Sequence, residues 1–259
     1  DVCSSDLVQS NLAESPTCLL LQDACRRLDL GFHPISIEPG ELSLPDELPA
    51  TPLIAHGATT LILLAAEDKR FEHGVFYDAA TFNHSAYVEG YGSSYINSDA
   101  DLLPWTEVRK RIEDKGEMFV KPHDDLKAFT GFVATTGLFD ELQARLSRSR
   151  LGLPNRVLVA RATEVDAEYR FFVVAGKIIS GSMYRPWGDP VIPDDLMHFA
   201  VGALNGWTPA PVFVLDIGRV DGVWKIIECN CFNWSRFYQS NAQKVVDAVS
   251  EYQRIMLSA

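Results

Sequence analysis

The chain has 259 residues, 47% of them hydrophobic, with 35 acidic against 23 basic residues and a formal charge of −12. That composition suffices for one large or two small folded domains and excludes global disorder, and the acidic balance excludes a non-specific nucleic-acid binder while leaving room for a local basic pocket for a phosphorylated ligand. No apolar run approaches the ~20 residues that span a bilayer, no secretory signal opens the chain, and five cysteines without a CxxC pair suit a reducing, cytoplasmic setting better than a disulfide framework.

In chain order, residues 1–7 (DVCSSDL) match the translation of a widely used short-read sequencing adapter, and we expect an assembly artefact there, outside the fold reasoning. LVQSN follows as a short strand. SPTCLLLQDACRRLDLG predicts a helix with Ser15 as N-cap, Pro16 in the first turn and Gly31 past the end. FHPISI reads as a strand, and TPLIAHG and TTLILLAA continue a turn-punctuated region, so residues 8–103 predict a small α/β unit. The aromatic, Gly-rich stretch from Tyr87 to Trp105 reads as a loop. Residues 104–259 predict a second unit. Trp105, Val108 and Ile112 share one side of a short helix, EMFVKP is a strand, and Leu138, Leu142 and Leu146 at spacings of four mark a helix. RVLVAR is a strand, and EYRFFVVAGKIISGSMYR is a hairpin turning at Ala175-Gly176. PDDLMHFAVGALNGW is a helix, VFVLDIGRV and VWKIIECN are a hairpin around Asp221-Gly222, and a helix from about Ser235 to Met256 closes the chain.

The last hairpin carries Asp216 on one strand and Glu228 and Asn230 on the other. A plain two-residue turn pairs Asp216 with Ile227 and sends Glu228 to the opposite face, whereas an odd loop or a bulge brings Asp216 and Glu228 together. If the three converge, two carboxylates and an amide make a hard-oxygen site suited to Mg²⁺ or Mn²⁺, which fills its remaining positions with water and phosphate. Cations for a phosphate lie in the same half: Lys121 ends the strand EMFVKP, Lys127 precedes Thr130-Gly131, and Arg170 and Arg185 sit on the two arms of a hairpin. Each alone reads as a solvated surface charge. Cys229 and Cys231, alternating with the polar pair, read as small core residues.

From Pro104 onward the motif order resembles the ATP-grasp family: FVKP, then VLVAR followed by EYR, then an Asp on one strand and Glu-x-Asn on the next. The resemblance covers about the last three-fifths of the chain. It implies an ATP-grasp fold, α/β (α+β), preceded by a small pre-grasp domain at residues 8–103. It also implies ATP with Mg²⁺ or Mn²⁺. Lys121 would contact the nucleotide, Glu168 would hold the ribose, and Asp216, Glu228 and Asn230 would be metal ligands. The EYR and YR arginines and KAFTG resemble a phage- and bacteria-associated clade of the family. Two departures stand out: HDDLKAFTG replaces the glycine-rich flap, with Lys127 as the substitute phosphate contact, and Arg161 occupies a hinge position that is often Glu.

The activity implied is joining a carboxylate to an amine or similar nucleophile through an acyl phosphate, with Arg170 and Arg185 stabilising the phosphoryl group. Two alternatives stay open: a non-catalytic nucleotide-binding module on the same fold, and a divalent-metal hydrolase using Asp216, Glu228, Asn230 and His123 or His198. Small-molecule or peptide carboxylates and amines are the expected partners, with neither nucleic acid nor membrane. Asn233, Ser235, Arg236 and Tyr238, which follow the Glu-x-Asn, are candidates for substrate contact or equally for structural polar residues.

Overall fold

The computed structural model describes residues 5–9, 15–37, 42–49, 52–126, 128–148, 152–186 and 191–259. Their elements are β1 (Ser5–Gln9), α1 (Pro16–Arg27), β2 (Gly31–Ile35), β3 (Leu53–His56), α2 (Thr59–Ala66), α3 (His84–Tyr91), β4 (Asp101–Pro104), α4 (Trp105–Lys115) and β5 (Met118–Pro122). There follow β6 (Phe132–Ala134), α5 (Thr136–Leu146), β7 (Arg156–Arg161), β8 (Ala167–Val174), β9 (Lys177–Arg185), α6 (Asp194–Gly206), β10 (Val212–Val220), β11 (Val223–Cys231) and α7 (Ala242–Leu257). The fold is the mixed α+β arrangement the sequence predicts. A parallel sheet runs β2-β1-β3, and two antiparallel four-stranded sheets run β4-β7-β5-β6 and β11-β10-β8-β9.

The sheet β11-β10-β8-β9 is buried on both faces, which is why its strands read as near-continuous apolar runs. Val212 and Val214 of β10 and Phe172 and Val174 of β8 pack in one cluster with Leu21 and Cys25 of α1 and Val245, Val246 and Val249 of α7. The alternate residues Phe213, Leu215 and Ile217, with Phe171 and Val173, face Tyr87 and Tyr91 of α3 and Leu196 and Ala200 of α6. A third cluster joins α4 and α5 to the sheet containing β5, through Trp105, Val108, Ile112, Phe139, Leu142 and Val120.

Several local expectations are corrected. The stretch from Tyr87 to Trp105, expected to be a loop, holds most of α3, a 3-10 turn at 92–94 and β4. Asn83 caps α3 by accepting from Ala86 N, and Gly90 leaves room for the Trp207 ring, which a Cβ there would meet at 2.4 Å. On α5 the buried stripe is Phe139, Leu142 and Leu146, while Leu138 is exposed. The last helix starts at Ala242, capped by Asn241, instead of at Ser235. Ser15 caps α1 as expected, but the left-handed residue after it is Asp29, and Gly31 already opens β2.

The hairpin β10/β11 resolves its two alternatives by combining them. Asp221 and Gly222 both adopt positive φ, as a two-residue turn with the strand's own twist requires. A bulge at Ile227 then puts Asp216 opposite Glu228. The burial pattern records the switch: before the bulge Trp224 and Ile226 enter the core beneath α6, and after it Cys229 and Cys231 do. Gly218 makes space for the bulge, since a Cβ there would lie 2.8 Å from Ile227 Cδ1 and 2.6 Å from Val165 Cγ1.

Candidate functional site

A cleft of about 450 Å³ opens between the two antiparallel sheets, with α3 and the turn after it on one flank. Lys121 and Pro122 of β5, Thr130 and Gly131, Arg170 of β8, Glu228 and Asn230 of β11, and Arg236 and Tyr238 all line it. Gly131 approaches β5 so closely that a Cβ would sit 2.8 Å from the Phe119 ring and 3.0 Å from Lys121 Cβ.

The charged residues of the cleft hold one another. Lys121 Nζ donates to Glu228 Oε2 at 2.6 Å. Burial works against the lysine's charge, but Glu228 beside it outweighs that and holds its pKa above the ordinary lysine range. Arg170 Nε donates to Asp216 Oδ1 at 2.8 Å, Nη2 to Asp216 Oδ2 at 2.7 Å, and Nη1 to the Arg236 carbonyl at 3.1 Å. Burial again opposes the charge and Asp216 overrides it, so Arg170 stays protonated at any working pH. A guanidinium has five N–H donors. These three bonds leave one on each Nη, the edge that can meet an oxyanion at two points. Tyr184 and Tyr238, stacked at 4.9 Å, lie within 5.5 Å and 5.0 Å of the Arg170 carbon and fix the fork from the side. Tyr238 does so from a left-handed backbone, with φ of 50°.

Of the expected metal set, Glu228 and Asn230 face the cleft. Asp216 is 1% exposed and sits behind Arg170. Asn230 Nδ2 donates to both Asp216 Oδ2 at 3.0 Å and Glu228 Oε1 at 3.1 Å, which ties the three together. Among the described residues no group of three or more His, Cys, Asp or Glu side chains could hold a metal ion unaided. One carboxylate and one amide on a cleft wall nonetheless fit Mg²⁺, which takes one or two protein oxygens and completes its octahedron from phosphate and water.

Glu168, Arg161 and Arg185 do not line this cleft. Glu168 accepts from Tyr184 Oη at 2.7 Å and from Arg185 Nη1 at 3.0 Å. Arg161 is exposed at the end of β7. Lys127 lies outside the described residues. Of the four residues after the Glu-x-Asn, Arg236 and Tyr238 line the cleft and two are structural. Asn233, wholly buried, bonds Phe76 N at 2.9 Å, the Ala55 carbonyl at 2.6 Å and the Gly74 carbonyl at 2.9 Å. Ser235 Oγ donates to the Cys231 carbonyl at 2.7 Å. His198 is on the exposed side of α6, bonded to the Asp194 carbonyl and away from the cleft lining, whereas His123 is on the cleft wall.

Sequence reasoning missed the flank formed by His84, Tyr87 and Tyr95 together with Asp125, whose Oδ2 accepts from Cys231 N at 2.9 Å and Trp234 Nε1 at 3.0 Å. The N-cap at Asn83 was the one available signal for it.

A family of ATP-grasp domains, the third family of its clade, matches residues 58–249. No curated protein matches the sequence. Among solved structures, D-cycloserine synthetase DcsG superposes with a TM-score of 0.60 at 14% identity, over 96% of this chain and 99% of that one. The D-alanine–D-alanine ligase from Bacillus anthracis complexed with ATP gives 0.56 at 12% identity, over 99% of each chain. The ATP-grasp ligase PsnB complexed with minimal precursor, Mg and ADP gives 0.52 at 13% identity, over 98% and 99%. These likenesses establish a shared fold.

Proposed function

Because the chain belongs to this family of ATP-grasp domains, we propose that it is an ATP- and Mg²⁺-dependent ligase joining a carboxylate to an amine or similar nucleophile through an acyl phosphate. The observation that carries this reading is the convergence of Lys121, Arg170, Glu228 and Asn230, from three different strands, on one cleft. The neighbours support the chemical class: one is a D-alanine–D-alanine ligase, another is an ATP-grasp ligase complexed with a precursor peptide. A small-molecule or peptide carboxylate is the corresponding partner here.

In this reading ATP is the phosphoryl donor, and Mg²⁺, when bound, would supply positive charge to offset that of the phosphates. Lys121 exchanges Glu228 for phosphate oxygens, and the backbone at Thr130-Gly131 offers N–H groups to the same anion. Glu228 and Asn230 are the residues that would hold the cation. Arg170, aimed by Asp216 and the two tyrosines, presents its two remaining N–H groups to the phosphoryl group being transferred, where loss of one such contact costs about 3 kcal/mol of barrier. Arg236 and Tyr238 border the acceptor. We assign Glu168 and Arg185 to bracing Tyr184 beside Arg170, and leave Arg161 at the rim.

Thermal unfolding with and without ATP, each with and without Mg²⁺, tests the reading. Ligand at about a hundred times its Kd adds about 2.7 kcal/mol, a shift of a few degrees for a chain of this length. A shift that needs both components, and that Glu228→Gln abolishes, is expected. No shift under any combination refutes it. ADP release stimulated by one member of a panel of amino acids and short peptides then separates a ligase from a nucleotide-binding module.

A further inference from the structure

The flank of the cleft made by α3 carries a polar group that the proposed function leaves unused. His84 is the first residue of α3 and only 6% exposed, yet its side chain lines the cleft beside Lys121 and Glu228. Its backbone N–H donates to the His123 carbonyl at 2.9 Å, which locks this end of the helix to the turn after β5. Its Nδ1 lies 3.4 Å from Tyr95 Oη. Nε2 makes no hydrogen bond to the described residues.

We propose that His84 donates a hydrogen bond from Nε2 to a γ-phosphoryl oxygen of the nucleotide held in the cleft, an assignment that rests on the ATP-binding reading above. The surroundings decide between donor and base. The ionisable groups around the ring are Lys121 and His123 from β5 and its following turn, Tyr95 from the turn after α3, and Tyr87 from its own helix, with Asp124, Asp125 and Glu228 also on the cleft wall. Burial disfavours the imidazolium most, and the positive charges of His123 and Lys121 add to it, bringing the pKa down to about 4. A base that weak takes no useful proton from an attacking nucleophile near neutral pH. A ring whose Nδ1 accepts from Tyr95 Oη–H carries its proton on Nε2. We assign His84 to that tautomer, in which Nε2 is an N–H donor whether the ring is neutral or, beside a bound polyanion, protonated. Its position at a helix N-terminus suits the same anion.

Calorimetric titration of wild type, His84→Asn and His84→Gln with the Mg²⁺ complexes of AMP-PNP and of ADP tests this. Asparagine has no group at the Nε2 position, whereas the glutamine amide reaches it. The Asn variant is expected to lose about tenfold or more in AMP-PNP affinity, with ADP affinity changed about twofold or less, and the Gln variant to recover most of the loss. Equal loss of both nucleotides, or AMP-PNP affinity equal to wild type, overturns the assignment. A wild-type protein that binds neither nucleotide overturns the ATP reading itself, and the assignment falls with it. Long-range ¹⁵N spectra of the imidazole give the second readout: an Nε2–H ring is expected, and a ring with its proton on Nδ1 and a bare Nε2 overturns the proposal.

Discussion

Replacing Asp216 by Asn removes one charge and leaves the shape of the side chain intact, which isolates the electrostatic contribution of the Arg170 clamp. The side chains of Arg170 and Asp216 are 8% and 1% exposed and meet through two hydrogen bonds of 2.8 and 2.7 Å. Asparagine keeps one acceptor and turns the other into a donor facing a guanidinium N–H. It also leaves a buried cation with no counter-charge in this pair. Breaking a buried pair from one side costs about 3–5 kcal/mol. At about 2–4 °C per kcal/mol for a chain near this size, the melting temperature should fall by roughly 6–20 °C. Urea unfolding of the wild type, Asp216→Asn, Arg170→Met and the double variant completes a cycle, in which the double variant should be less damaged than the sum of the singles. A loss below about 1 kcal/mol for Asp216→Asn, the value of an exposed surface pair, would refute the reasoning and return Asp216 to the role of a metal ligand.

Acid should unfold the protein in a defined window. His56 and His84 are both buried, and burial takes each from 6.5 to about 4 in the folded chain. With the folded pKa below the unfolded one, their contribution is complete above pH 6.5 and is lost as the pH falls towards 4, about 3 kcal/mol for each. Urea midpoints followed from pH 7 to 4 should decline, and His56→Phe should flatten part of the decline; a level profile down to pH 4.5 contradicts the prediction. Gly218→Ala should cost about 1–3 kcal/mol by overpacking against Val165 and Ile227, and it should weaken the Mg²⁺-dependent thermal shift because the Ile227 bulge sets the face of Glu228; an unaltered shift would separate the bulge from the site. Asn233→Ala should cost about 3 kcal/mol by leaving Phe76 N unpaired and removing a donor from the Ala55 and Gly74 carbonyls, the latter still accepting from Ala55 N. Its response to ATP should persist at lower temperature, and loss of nucleotide binding without loss of stability would place Asn233 at the substrate instead.

The clustering of Lys121, Arg170, Asp216, Glu228 and Asn230 was legible because each ends or punctuates an otherwise apolar strand, and because a period of two fixes which neighbours share a face. The bulge was legible only as an alternative. Nothing in VWKIIECN distinguishes Ile227 from its neighbours, and the signal for it sits across the hairpin, in Gly218. The helix α3 escaped because glycines and tyrosines crowd residues 87–95, and its stability comes from tertiary packing against Trp207 and β11. Residues 235–241 resembled a helix start for a similar reason. Their non-helical path, which turns at Tyr238, depends on distant partners, with Ser240 Oγ at 3.0 Å from Ser182 Oγ and Asn241 N bonded to Ser180 Oγ. The family resemblance made Glu168 a ribose ligand, and its engagement by Tyr184 and Arg185 follows from a strand pairing across a bulge between Glu168 and Tyr169.

The pairing of Lys121 with Glu228 and of Arg170 with Asp216 has a consequence for how this protein can change over generations. Each residue has a duty to its counter-charge as well as to any ligand, so a single exchange at one of the four harms folding before it is ever screened for activity. Stably folded variants should therefore arise in couples, with a neutral side chain on β5 met by a neutral one on β11, or a lost guanidinium on β8 met by an apolar residue on β10. Drift at these positions would be slow and two-step, passing through intermediates that survive only where the rest of the chain has stability to spare.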